Sequence, residues 1–266
     1  MNPGFEELAS VDGKVTPTAA ATIGLKDDGL YRGDGAFEVI RLYQGRPFAL
    51  GDHLDRLVRS TEAIELRFDR AALEREIEAL LRAAGPLDGQ LRLIVTRGGR
   101  RIAATEPIPE HAETLSLASV TYCPTVILNH VKSLSYAANM QATRIARSRG
   151  AEEAVLVRPD GTVLEPPTSS VFWVSADGAL RTPAIADGVL ESITRDRLVK
   201  ALRVEEGSFQ IDDLRQASEA FLASTTREIQ AVAAIDGRTL AAAPGPRTRE
   251  AQEALAETLG RELREP

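Results

Sequence analysis

Runs of apolar residues with the two-residue period of a strand and runs with the helical period follow one another in irregular order along these 266 residues. Residues 36–43, AFEVIRLY, alternate and set Phe37, Val39, Arg41 and Tyr43 on one face; QGRPFAL then turns the chain into a second short run, which predicts a hairpin. Asp52 offers an N-cap to a helix carrying Leu54, Leu57 and Val58. Asp69 offers one to a helix carrying Leu73, Ile77, Leu80 and Leu81, which Gly85 and Pro86 stop. A strand is predicted over 90–98. Farther on come a helix over 133–149, strand runs EAVLV and TVLE about a Pro-Asp-Gly turn, and a second hairpin in SVFWVSADGALRTP. A helix over 193–203, strands over 219–224 and 229–234 and a helix from about 247 complete the chain. This mixed order is not strict βαβ alternation, and it predicts an α+β fold in two parts.

Residues 99–113 lose all periodicity and contain Pro107 and Pro109, which predicts a mobile loop. The crossing between the parts is expected at 118–127, dividing the chain into 1–117 and 128–266. No fixed-period repeat is visible, which argues against a solenoid.

Composition narrows the functions. A net charge of −7 and a pI near 5.2 argue against a nucleic-acid binder held by phosphate neutralisation. The single cysteine, Cys123, cannot close an internal disulfide, and no Cys/His spacing resembles a zinc site. No run approaches the roughly 18 apolar residues of a spanning helix, and no export signal opens the sequence. The expected setting is the cytoplasm, with small polar or anionic metabolites as ligands.

Among 32 basic residues, lysine stands only at Lys14, Lys26, Lys132 and Lys200. Where charge alone matters, this chain uses arginine. A site that needs a primary amine cannot make that exchange, because a guanidinium stays protonated and is a poor nucleophile. Lys132, in VKSLSY, is therefore a candidate for amine chemistry.

Four further stretches admit both a structural and a chemical reading. RGDGAFE, residues 32–38, fails as a dinucleotide fingerprint and reads as a glycine turn before a hairpin. His53 and Arg56 in HLDR form either a charged helix face or a phosphate-binding pair. Glu165 in TVLEPP is a solvated strand-end carboxylate or the acidic partner of a pyridinium nitrogen. ESITR, with Ser192 and Thr194, and LASTTRE, with Thr225, are helix and strand ends that either cap themselves or hold a phosphate.

Taken in this order, YRGDGAFEVIRLYQGRPFAL, HLDRL, VKSLSYAAN, GAEEAVLVRPDGTVLE, SSVFWV, GALRTP, VLESITR and LASTTREI resemble the class IV aminotransferases, the fold-type IV pyridoxal-phosphate enzymes. The likeness covers residues 24–240. It implies a small N-terminal α/β domain, a larger C-terminal domain with pyridoxal 5′-phosphate between them, and a homodimer. It implies that Lys132 forms the Schiff base and moves the proton, and that Glu165 pairs with the pyridine nitrogen. It further implies that Arg56, Ile193, Thr194 and Thr225 hold the phosphate, with Tyr136 on the phenolic oxygen. Relatives line the substrate pocket with the positions of Tyr31, Val39 and Arg41, all taken to lie on the first hairpin. D-amino-acid aminotransferases recognise carboxylates near Arg97, Arg100 and Arg101. These three loop arginines are either a carboxylate fork or the exposed charges of an arginine-rich chain. Two positions depart from the family: Ser169-Ser170 replaces Ser-Asn, and Glu191-Ser192 stands where glycine is common. The activity implied is ping-pong amino transfer between an amino acid or primary amine and an α-keto acid. The alternatives are an aminodeoxychorismate lyase and a cofactor-binding module with little catalysis.

Overall fold

The computed structural model describes residues 5–264, which form two compact units. The first takes the chain up to Glu110 together with Val131–Tyr136; the second takes His111–His130 and Ala137–Arg264.

The first unit runs β1 (Leu8–Val11), β2 (Lys14–Pro17), α1 (Asp28–Arg32), β3 (Gly35–Tyr43), β4 (Arg46–Pro47), α2 (Leu50–Ala63), α3 (Arg70–Ala84), β5 (Gly89–Thr96) and β6 (Arg101–Glu106). Its strands make an antiparallel sheet in the order β2-β1-β6-β5-β3-β4. The period-2 pattern of β3 buries Ala36, Ile40 and Leu42, which pack with Leu91, Leu93 and Val95 of β5. The apolar stripes of α2 (Leu54, Leu57) and α3 (Leu73, Ile77, Leu80) close that core. Asp69 caps α3 by accepting from the Ala72 N–H, and Gly85 ends it, as its sequence predicts. The start of α2 differs. Its N-cap is Ala49, with φ +52°, because buried Phe48 bonds back to the Arg41 carbonyl and turns the chain before Asp52, which falls in the first turn.

A second difference is β6, a strand inside the stretch expected to be a loop. Ala103 and Ala104 are too small to show alternation in sequence, yet β6 is paired on both sides, by β1 and β5.

The second unit runs β7 (Thr114–Thr121), α4 (Ala137–Ser148), β8 (Glu153–Val157), β9 (Ser170–Val174), β10 (Leu180–Pro183), α5 (Ile193–Ala201), β11 (Glu205–Gly207), α6 (Ile211–Arg215), β12 (Glu219–Ser224), β13 (Glu228–Ile235), β14 (Arg238–Thr239) and α7 (Pro246–Glu262). Its mixed sheet has the order β11-β10-β9-β12-β13-β7-β8, with β14 beside β13. β7 occupies residues 118–121 of the stretch expected as a linker. Both faces of this sheet are covered, which is why SVFWV reads as a continuous apolar run. Val171 and Trp173 pack one way, and Phe172 and Val174 pack the other, toward α5 and α7. No helix among the described residues is long and apolar enough to cross a membrane.

Candidate active site

Lys132 lies on an extended segment held against β3, not on a helix; α4 begins only at Ala137. The Lys132 carbonyl accepts from Phe37 N–H at 3.0 Å, Leu134 N–H donates to the Gly35 carbonyl at 2.9 Å, and Lys132 N–H donates to Ser60 Oγ on α2 at 3.1 Å. Gly35 makes this approach possible. A Cβ there would lie 2.4 Å from the Val95 carbonyl oxygen and 2.7 Å from Leu134 Cδ1. With its backbone fixed, Lys132 projects Nζ over the ring of Phe37, 4.4 Å from the centroid, and Tyr136 meets the same ring edge-to-face at 5.3 Å.

The opposite face of β3 carries a charge into the core. Glu38 is wholly buried and accepts from Arg56 Nε at 2.7 Å and Nη2 at 2.6 Å, while His53 Nδ1 lies 2.8 Å from its Oε2. Burial pushes the Glu38 carboxyl up, but the Arg56 charge and hydrogen bonds, with His53, outweigh it and hold the pKa at about 2. Burial also depresses the His53 pKa. The Glu38 carboxylate opposes that, and the charges of Arg56 and Lys132 add to it. His53 is thus a neutral ring donating to Glu38. Sequence pairs His53 with Arg56 on a helix face but misses Glu38, whose signal is a carboxylate at a core position of the β3 alternation.

In the second unit, backbone bonds between Leu156 and residues 164–165 deliver Glu165, and its Oε1 accepts from Leu190 N–H at 2.8 Å. Burial, then the charge of Glu165, raises the pKa of Tyr122. Leu190 stands three residues before the start of α5. Ser192 caps that helix by accepting from Arg195 N–H, and Thr194 is buried in its first turn. Helix starts carry unpaired N–H groups and the positive end of the dipole, so this one favours an anion. Ser170 pairs in register with Ala223, two residues before Thr225, so Ser169, Ser170 and Thr225 lie at matching ends of β9 and β12. The Ser169 and Ser170 hydroxyls are buried without a hydrogen-bond partner among the described residues.

The substrate candidates separate. Tyr31 is exposed on α1 and not on the hairpin, whereas Val39 and Arg41 are half-buried on the Phe37 face of β3. Arg97 Nε and Nη2 bond the Asp34 carboxylate at 2.9 and 3.2 Å, and the guanidinium also donates to the Ile64 and Glu65 carbonyls. Arg100 pairs with Asp12, and Arg101 with Glu76 at 2.8 Å.

Residues 35–235 match the pattern of the amino-transferase class IV family. The chain belongs to the class IV aminotransferases. A D-alanine aminotransferase of Bacillus licheniformis is 33% identical over 268 residues, 92% of this chain and 94% of the relative. The branched-chain aminotransferase of Thermoproteus uzoniensis, solved with norvaline, superposes with a TM-score of 0.87 at 28% identity over 97% of this chain and 96% of that one. A hypothetical aminotransferase from Mycobacterium tuberculosis, solved with α-ketoglutarate and PMP bound, superposes with a TM-score of 0.84 at 25% identity over 94% of this chain and 97% of that one. The two-sheet α+β architecture of this class IV aminotransferase is that of fold-type IV enzymes.

The cofactor of the family is pyridoxal 5′-phosphate. Taken separately, each unit holds groups of the kind this cofactor needs. The first has a primary amine set on an aromatic face. The second has a carboxylate pinned by a backbone amide next to a capped helix start, and buried hydroxyls that lack a partner among the described residues.

Proposed function

We propose that this aminotransferase moves an amino group between an amino acid or primary amine and an α-keto acid in two half-reactions, with Lys132 as its reactive amine. The observation that carries the reading is the fixed Lys132: backbone clamped to β3 and Ser60, Nζ over Phe37. The cofactor, when bound, supplies an aldehyde for the amine and a ring that accepts electrons. Lys132 would be the amine that holds that aldehyde and the base that moves the proton at the substrate carbon. Glu165, oriented by Leu190 N–H, would favour a protonated ring nitrogen. Tyr136, standing against Phe37, would donate to the phenolic oxygen. Arg56 would serve the phosphate, as would Ile193 N–H and Thr194 at the start of α5 and Thr225. A cytoplasmic homodimer completes the reading. Four exposed apolar side chains of the first unit support the dimer: Ile23, Leu25, Leu30 and Tyr31.

The visible spectrum of the purified protein tests the reading, recorded as L-amino acids, D-amino acids and (R)- and (S)-arylalkylamines are added singly without acceptor. A yellow protein bleached by one donor class and restored by a keto acid is the expected result. A yellow protein that no donor bleaches, and that releases pyruvate from aminodeoxychorismate, overturns it in favour of the lyase.

A further inference from the structure

The hairpin that joins β12 to β13 draws a charge inward where a turn ordinarily leaves one in water. Ser224 and Glu228 pair in register, so Thr225, Thr226 and Arg227 make the turn, and Glu228 closes it in the left-handed region with φ +54°. Glycine is the usual residue there, and a glutamate needs its surroundings to hold it. Arg227 meets that need in two ways. Its N–H donates to Ser224 Oγ at 3.3 Å, across the base of the turn, and its side chain folds in until only 12% of its surface is exposed. There Nη1 donates to Gln230 Oε1 on β13, and Nη2 stands 3.6 Å from Glu153 Oε2 on β8.

Both partners are themselves fixed. Gln230 Nε2 donates to the Ala112 carbonyl at 2.5 Å. The other carboxylate oxygen of Glu153, Oε1, accepts from Thr143 Oγ1 of α4 at 2.6 Å and from Ala154 N–H at 3.0 Å. Burial lowers the Arg227 pKa, and the Glu153 carboxylate opposes it. Taking a guanidinium out of water is costly, and a hairpin needs none in order to close. What the arrangement adds is a turn whose shape is set from β13, β8 and α4 together. Thr225 stands in that turn, two residues before Arg227. We infer that Arg227, held by Glu153 and Gln230, is a positioning residue that fixes the β12–β13 turn so that the Thr225 hydroxyl meets the cofactor's phosphate. The inference rests on the reading above in which Thr225 serves that phosphate. Arg227 acts through Thr225 and not on the phosphate itself.

The test is equilibrium dialysis of the full-length chain with pyridoxal 5′-phosphate and, separately, with pyridoxal, which keeps the aldehyde and the ring but lacks the phosphate. The ratio of the two affinities reads the phosphate contacts alone. Arg227→Met is expected to lower that ratio about tenfold with pyridoxal affinity kept within about threefold, and Thr225→Val to lower it by a similar factor. In the double variant the ratio should fall no more than about twofold below that of Thr225→Val, because a turn without the hydroxyl has nothing left to misplace. Glu153→Gln keeps an acceptor for Thr143 and Ala154 N–H but removes the charge that faces Arg227. It should lower the ratio in the same direction, and it stands in for Arg227→Met if that variant does not fold. An unchanged ratio in Arg227→Met overturns the inference. So does an equal loss of pyridoxal affinity, since Arg227 would then serve the fold alone. Losses that multiply in the double variant overturn it as well, because the buried charge would be acting on the phosphate directly. The parent reading fails differently. If Thr225→Val leaves the ratio at its wild-type value, the phosphate role of Thr225 falls and takes the inference with it; an effective Thr225→Val beside a silent Arg227→Met strikes the inference alone.

Discussion

Arg56 of α2 gives Nε and Nη2 to the two carboxylate oxygens of Glu38 on β3, at 2.7 and 2.6 Å, with both side chains shut away from water. This two-pronged bond fixes the plane of the guanidinium on which the proposed phosphate contact depends. Breaking a buried pair from one side is worse than never having made it, because the remaining charge keeps its desolvation cost. Glu38→Ala is therefore expected to destabilise the first unit by roughly 3–5 kcal/mol, read as a lowered urea midpoint. Arg56→Ala strands the buried Glu38 carboxylate in turn, so it is expected to lower the urea midpoint comparably and, beyond that, to raise the cofactor dissociation constant, read by the absorbance lost on dilution.

The same cluster sets the acid limb of stability. The fold holds the Glu38 carboxyl at about 2, below its ordinary value of 4.5, so its contribution is complete above pH 4.5 and is lost as pH falls toward 2. Burial holds the His53 pKa below its ordinary value of 6.5, so the unfolded chain takes up that proton first and stability also falls as pH drops below 6.5. Both limbs have the same sign. Urea unfolding followed from pH 8 to pH 3 should show declining stability below about pH 6.5 and a steeper decline below about pH 4.5. His53→Gln should flatten the upper limb and leave the lower one.

Elements whose signal is local were legible in the sequence. The Asp69 cap, the Gly85 stop, the doubly buried SVFWV strand and the helix from about 247 stand where capping, φ preference and periodicity put them. What sequence missed depends on distant partners. β6 is a strand because Leu8–Val11 lies beside it, some 90 residues away in sequence. The extended setting of Lys132 comes from Phe37, Gly35 and Ser60, so a helix drawn from residue 133 starts too early. For the proposed site, residue types pointed to Lys132 and Glu165. Nothing local could tell that Arg97, Arg100 and Arg101 were already engaged by Asp34, Asp12 and Glu76 while Arg41 was not.

Gly35 joins the fold to the chemistry. Its alanine variant sets a methyl group against the Val95 carbonyl and Leu134, so either β5 or the lysine segment must give way. Gly35→Ala is expected to cost about 1–3 kcal/mol and to lower turnover more than it lowers cofactor content. Parallel urea melts and steady-state rates check both parts.

Lys132→Ala removes the only amine held on the Phe37 face among the described residues. Turnover should fall by roughly 10⁴-fold or more, while the cofactor is still retained without a covalent link. The expected readout is cofactor that filters out of the denatured wild type only after the bond is broken, but leaves the variant by simple dialysis.

Glu165→Gln tests charge with the geometry kept. The amide oxygen of glutamine can still accept from Leu190 N–H, so the segment ahead of α5 should hold its shape and the melting temperature should move little. What is lost is the negative charge that favours a protonated ring nitrogen. The rate of the first half-reaction, followed by stopped-flow bleaching, should drop by about 10²–10⁴-fold with cofactor affinity altered far less. Glu165→Asp keeps the charge but draws it back by one methylene, and should recover part of that rate. Recovery by aspartate and not by glutamine assigns the effect to charge at the ring nitrogen, since a structural role served by the Leu190 bond would be better met by glutamine.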